Sequence, residues 1–179
     1  MKSFYLPAAI VAICALTGSA SANAQVSKEQ VPGVTNFARV ETTVACAGAV
    51  KPEAIVELKK MGFASVINLR LANEPGADVD AEAAAAKAAG VNFVHIPFST
   101  QSPDPAVVDT FLKAVTTPAN EPAFIHCASG NRAAAMWFIK RIQVDGWSQE
   151  RAGEEAAALG LTNAALKQFA LEYIQSHKK

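Results

Sequence analysis

The chain has 179 residues, 51% of them hydrophobic and 18% charged, with 16 basic and 16 acidic side chains in balance. That apolar content suffices for one packed domain, and the absence of net positive charge or a basic stripe excludes a nucleic-acid-binding role. Three cysteines and three histidines, spaced in no zinc pattern, predict no metal site and no cofactor.

Residues 1–24 read as a secretory signal peptide. Lys2 supplies the positive start, residues 4–16 are apolar but too short to span a bilayer, and Ala22-Asn23-Ala24 fits a small-residue cleavage site. Cys14 leaves with this segment. The mature protein is therefore expected to be periplasmic or secreted, with no membrane association. Without Lys2 it carries 15 basic and 16 acidic residues. Residues 25–35, polar and containing Pro32 and Gly33, predict a flexible leader, and residues 36–177 a single domain.

Short strands are predicted over 37–40 and 43–45. Pro52 suits a first helical position, and Ala54, Ile55, Leu58 and Met61 recur at helical spacing until Gly62. A buried strand follows over 64–69. The alanine-rich stretch 79–89 predicts a helix closed by Gly90, and 91–97 the next strand. Asp104 and Pro105 open a helix whose core stripe is Val107, Val108, Phe111, Leu112 and Val115. A strand over 122–126 precedes three helices at 133–144, 149–159 and 164–175. Strands alternating with helices predict right-handed crossovers and a single-domain α/β fold with a largely parallel central sheet flanked by helices. Ligands bind such sheets beyond the carboxyl ends of the strands.

That edge collects the stretch His126-Cys127-Ala128-Ser129-Gly130-Asn131-Arg132. A buried strand, a tight loop and a helix start make an anion site, because loop amides converge there and the helix dipole adds positive charge. The same field favours a thiolate at Cys127. Arg132 presents a planar fork for an oxyanion, and it stands at a helix start where the dipole disfavours a cation without an anionic partner. Gly130 supplies a positive φ or a close backbone approach. Ala128, Ser129 and Asn131 are expected to contribute amides to the bound anion. His126 is expected to hydrogen-bond backbone and support the loop. These residues suit nucleophilic attack by sulfur on phosphorus or on sulfane sulfur.

The loop resembles that of cysteine-dependent phosphatases of the tyrosine and dual-specificity class, and equally that of rhodanese sulfurtransferases. With Val66-Ile67-Asn68-Leu69-Arg70 and Val94-His95-Ile96-Pro97, it resembles the phosphatase-like domain of beta-lactamase hydrolase-like proteins over about residues 36–160. The resemblance implies a cysteine-phosphatase-like fold, a phosphoester substrate, small or carried on protein, and a cysteinyl-phosphate intermediate. It also implies a general acid from the loop after the preceding strand, where Asp104 is the one acidic residue, although Asp104 equally fits a helix N-cap. Glu74, Asp78 and Asp80 are weaker candidates for the acid. Two departures favour sulfur transfer: the spacing from Cys127 to Arg132 is C-x4-R where phosphatases have C-x5-R, and Ala133 stands where phosphatases have Ser or Thr. A non-catalytic anion-binding module is the third reading. Cys46 either captures oxidised Cys127 in a disulfide or is a small buried residue that never meets it.

Overall fold

The computed structural model describes residues 26–178; the signal peptide expected over residues 1–24 lies outside them. The strands are Ser27–Lys28 (β1), Ala38–Glu41 (β2), Val44–Ala47 (β3), Ser65–Asn68 (β4), Asn92–His95 (β5) and Ala123–His126 (β6). They form one sheet in the order β1-β2-β3-β6-β4-β5. β1, β2 and β3 pair antiparallel, while β3, β6, β4 and β5 run parallel. β4 and β6 are buried at every position, as parallel strands covered on both faces must be. The expected parallel sheet is therefore present, with an antiparallel extension on one side.

The helices are Ile55–Lys60 (α1), Val79–Ala89 (α2), Pro105–Val115 (α3), Asn131–Gln143 (α4), Gln149–Ala158 (α5) and Ala164–Ser176 (α6). Their starts follow from local chemistry. Asp78, Asp104, Ser148 and Asn163 each accept a hydrogen bond from a first-turn N–H, satisfying a donor that the helix leaves free. Gly90 ends α2 at φ 65°.

The sheet separates two apolar layers. On one face α3, α4, α5 and α6 pack over Val44, Cys46, Ile67, Ile125 and Cys127. On the other, α1 and α2 cover Phe37, Val66 and Phe124, with the Phe37, Phe63 and Phe124 rings 5.7–6.1 Å apart. α4 is buried nearly all round, which explains its unbroken apolar run from Ala133 to Ile139.

Residues 26–35 are docked where a flexible leader was expected. β1 pairs with β2, Val31 is buried, and Thr35 N–H donates to Ala49 O at 2.8 Å. Three valines in this polar stretch, Val26, Val31 and Val34, supply the apolar contacts that hold it.

Candidate active site

β6 lies in the middle of the parallel strands and delivers Cys127 to the carboxyl edge of the sheet. The Cys127 N–H donates to Ala47 O at 3.2 Å, extending the β3 ladder by one step. The chain then curls so that Gly130 N–H donates to Cys127 Sγ at 3.1 Å. Gly130 has φ 101°, a left-handed conformation that L side chains adopt only at a cost. The thiol is 1% exposed; it sits at the base of the loop.

Neighbouring residues brace that loop from several sides. Gly48 packs against it so closely that a Cβ would stand 3.1 Å from Ala128 O and 3.2 Å from the Ser129 carbonyl carbon, and Ala49 N–H donates to Ala128 O. Asn36 Nδ2 donates to Ser129 O at 3.1 Å. Asn131 Oδ1 accepts from the Thr162 and Asn163 N–H groups, both at 2.9 Å, tying the start of α4 to the α5–α6 turn. The first-turn amides of α4 have no partner within the helix. Together with the helix dipole they give the loop its anion-attracting field.

Arg132 is held more firmly than the sequence suggests. Its Nη1 donates to Glu74 Oε1 at 2.5 Å, to Leu69 O at 3.0 Å and to Phe98 O at 3.0 Å, and its Nη2 donates to Glu74 Oε2 at 2.7 Å. The guanidinium thus joins the ends of β4, β5 and β6. Burial works against its charge, but the Glu74 hydrogen bonds and the nearby Cys127 sulfur more than offset this, so its pKa rises further. Burial likewise favours the neutral acid at Glu74. The hydrogen bonds from Arg132 and from Leu71 N–H prevail and hold its pKa at about 2.

Glu74 is in turn positioned by Arg70. The Arg70 guanidinium is 3% exposed, lies 3.4 Å from Glu74 Oε2, and donates to Pro75 O at 2.6 Å and Gly76 O at 2.9 Å. The Asn68 side-chain Oδ1 accepts from the Arg70 N–H at 2.7 Å and fixes it. Sequence reasoning ranked Glu74 only as a weak acid candidate and gave Arg70 no role. The available signal was the cost of a cation at a helix start, which demanded an anion near Arg132.

The cleft beside the loop has a volume of about 380 Å³. Ser129, Asn131 and Arg132 form one side, Leu71 and Glu74 a second, and Ser99, Thr100 and Gln101 a third, with Asn163 and Leu166 contributed from the α6 end. Asp104 is not among these residues. It is exposed, and its carboxylate accepts from Ala106 N–H at 2.9 Å. The structure gives Asp104 the helix cap of α3 and places it outside the residues that line this cleft. Asp78 likewise caps α2.

His126 departs from expectation in direction. Its side chain points to the opposite face of the sheet, fully buried, stacked on Phe124 at 5.9 Å. Glu82 Oε2 is 3.1 Å from His126 Nε2, off the line of the ring N–H, so neither ring nitrogen has an aligned hydrogen bond. Support for the site comes from its backbone: His126 O accepts from Leu69 N–H at 2.9 Å. His95 Nε2 is 2.8 Å from Arg70 O, a satisfied histidine rather than a ligand. No cluster of three or more potential metal ligands occurs among the described residues.

Cys46 and Cys127 are both free thiols on the same face of the sheet. Cys46 is in register with Ile125, two residues before Cys127, which by strand spacing and rise puts their Cα atoms about 8 Å apart. Bridging needs about 7 Å or less, so a disulfide requires backbone movement. Burial first, and then the charge of Cys127, push the Cys46 thiol far up.

The sheet order, the cysteine loop and the arginine at the start of the following helix define a cysteine-phosphatase-like α/β domain. The chain belongs to the family described as beta-lactamase hydrolase-like protein, phosphatase-like domain, which matches residues 36–144 and so includes the whole loop. A curated relative, the beta-lactamase hydrolase-like protein of Xylella fastidiosa, is 30% identical over 125 residues, covering 68% of this chain and 27% of the relative. The chain thus spans about a quarter of that protein's length. Among solved structures, a DUF442 protein of Shewanella putrefaciens superposes with TM-score 0.68 at 21% identity, covering 80% of this chain and 93% of the other. TpbA of P. aeruginosa gives TM-score 0.65 at 22% identity, covering 87% and 91%; TpbA has also been solved in complex with phosphotyrosine. The catalytic core of the PP-IP phosphatase Siw14 of S. cerevisiae gives 0.64 at 21% identity, covering 80% and 88%. At these identities the likeness is one of fold.

Proposed function

We propose that the chain is an exported cysteine-dependent hydrolase of phosphoesters. The observation that carries the reading is the contact between Gly130 N–H and Cys127 Sγ at the start of α4, with Arg132 fixed beside the same cleft. A backbone amide already turned toward the sulfur, with the first-turn amides of α4 beside it, can hold the oxygens of a phosphoryl group transferred to it with little reorganisation. The Cys127 thiolate attacks phosphorus, the phosphorus–oxygen ester bond breaks, and the leaving oxyanion takes a proton from water. Water then attacks the cysteinyl-phosphate, releasing inorganic phosphate and restoring the thiolate. Arg132, held in orientation by Glu74, stabilises the equatorial oxygens in both steps. The buried thiol means that the phosphate must enter against the loop to reach it.

Family membership and the structural resemblance to TpbA and Siw14 support phosphoester chemistry. Rapid quenching of a reaction with an aryl phosphate should leave a phosphoryl group on the Cys127 peptide; its absence during active turnover would remove Cys127 from the mechanism. Export rests on the leader at residues 1–24. Sequencing the N-terminus of the protein from the periplasm or medium should begin near Gln25, and recovery of an unprocessed chain in the cytoplasm would contradict it. Sulfur transfer through a Cys127 persulfide is the second reading. It is favoured by the C-x4-R spacing and by Ala133, which carries no hydroxyl for a leaving thiolate.

A further inference from the structure

We infer that the cleft selects phosphomonoesters carried on an uncharged group and turns away substrates bearing several phosphates; the inference rests on the phosphoester reading above. Among the described residues lining the cleft, Arg132 is the one cation and Glu74 the one anion. The two are bound to each other through both carboxylate oxygens, so the lining side chains are neutral in sum, and Arg70, buried behind Glu74 and outside the lining, spends its guanidinium on Glu74, Pro75 O and Gly76 O. What attracts a phosphate is the field of the loop amides and the first turn of α4, which falls away within about one helical turn. That field serves one phosphate at the sulfur and no second one farther out.

The surface a leaving group meets has a matching character. Ser99, Thr100, Gln101 and Asn163 offer hydroxyls and amides, and Leu71 and Leu166 offer apolar contact. Past the ridge made by Ser129 and Asn131 a second cleft opens, about 580 Å³ in volume. Its charged lining is Lys28 and Glu29, again one of each sign, and Glu29 lies 3.5 Å from Arg39 as well. A carrier long enough to cross the ridge therefore meets lining side chains with one charge of each sign, and Arg39, outside that lining, is paired with Glu29. Each added phosphate in the first cleft gives up hydration with no guanidinium or ammonium in the lining beyond Arg132 to replace it, and it approaches the Glu74 carboxylate. Sites for polyanions carry the opposite signature, several Arg and Lys converging on one concavity.

Phenyl phosphate and benzene-1,3,5-triyl tris(phosphate) share the chemistry of the leaving group and differ in charge. The expected kcat/KM at low salt is higher for phenyl phosphate by about tenfold or more. Binding of the same two compounds to the Cys127→Ser protein, measured by calorimetry, reads selectivity without turnover. Thr100→Lys, at an exposed position of the wall, should shift the ratio toward the tris(phosphate) and make its binding fall with added salt. Equal or better binding or turnover of the tris(phosphate) by the unaltered cleft overturns the inference. Preferential binding of phenyl phosphate with hydrolysis of neither supports the selectivity and removes the phosphatase reading. Binding of neither compound overturns both.

Discussion

Arg132 and Glu74 meet fork to fork, Nη1 on Oε1 at 2.5 Å and Nη2 on Oε2 at 2.7 Å. A charge-assisted pair of this geometry fixes the guanidinium plane as well as its position. Glu74→Gln removes one charge and half of that constraint. Turnover of an aryl phosphate should fall by up to about 10²-fold through misplacement of Arg132. Stability should fall by about 2 kcal/mol, less than for a fully buried pair, because Glu74 keeps 19% of its side chain exposed. The sign with pH follows from the depressed pKa. The pair stabilises the fold above the ordinary value of 4.5 and loses this contribution as pH falls toward about 2. Urea unfolding across that window should show a steeper acid loss for the wild-type protein than for Glu74→Gln; equal slopes would show that the pair contributes nothing.

Arg132→Lys keeps a cation and loses the planar fork that reaches Glu74, Leu69 O and Phe98 O together. The expected loss in kcat is about 10²–10³-fold. Stabilisation of the protein by vanadate in a thermal melt should disappear with it. An unchanged vanadate shift and unchanged kinetics would show that Arg132 is not an oxyanion ligand.

Gly130 and Gly48 constrain the same loop for different reasons. Gly130→Ala has room for its methyl group, with the nearest atom of Ala47 at 3.7 Å, but must hold φ 101°; the cost is about 1–2 kcal/mol. Gly48→Ala would push on Ala128 O at 3.1 Å and displace the loop directly. Both should lower turnover more than stability, read from kcat and from chemical denaturation of the same samples. Loss of stability with full turnover in the remaining folded protein would detach loop geometry from catalysis.

Asp104→Asn should keep full activity and an unchanged melting temperature, since asparagine caps a helix nearly as well as aspartate. With Glu74 held ionised by Arg132, the described cleft lining contains no acid poised to protonate a leaving group. Rates should therefore depend steeply on the leaving group, with 4-nitrophenyl phosphate exceeding an alkyl phosphate by about 10²-fold or more. Loss of activity in Asp104→Asn at constant melting temperature would restore its acid role.

The sequence was a good guide wherever one local rule acted alone. The apolar runs at Val66-Ile67 and Phe124-Ile125 gave buried parallel strands, and Pro105 with Gly90 marked helix ends to within a residue. The loop, its glycine and its arginine were legible because strand end, turn and helix start coincide in the chain. The partners that make the site were not, because they arrive from afar. Glu74 stands 58 residues from Arg132, and Asn36 stands 93 residues from Ser129. Asp104 was ambiguous for a physical reason: a carboxylate before proline satisfies the cap and the general-acid pattern alike, and the structure shows the cap. The leader at residues 26–35 was overlooked as structure because its three valines are dispersed among polar residues without a period.

The most direct test of Cys127-dependent phosphoester hydrolysis is a parallel assay of the protein with 4-nitrophenyl phosphate and with thiosulfate plus cyanide, each repeated with Cys127→Ser. The expected result is release of 4-nitrophenol and phosphate by the wild-type protein, none by Cys127→Ser, and no thiocyanate from either. Formation of thiocyanate without phosphate release, or phosphate release that survives the loss of Cys127, would contradict it.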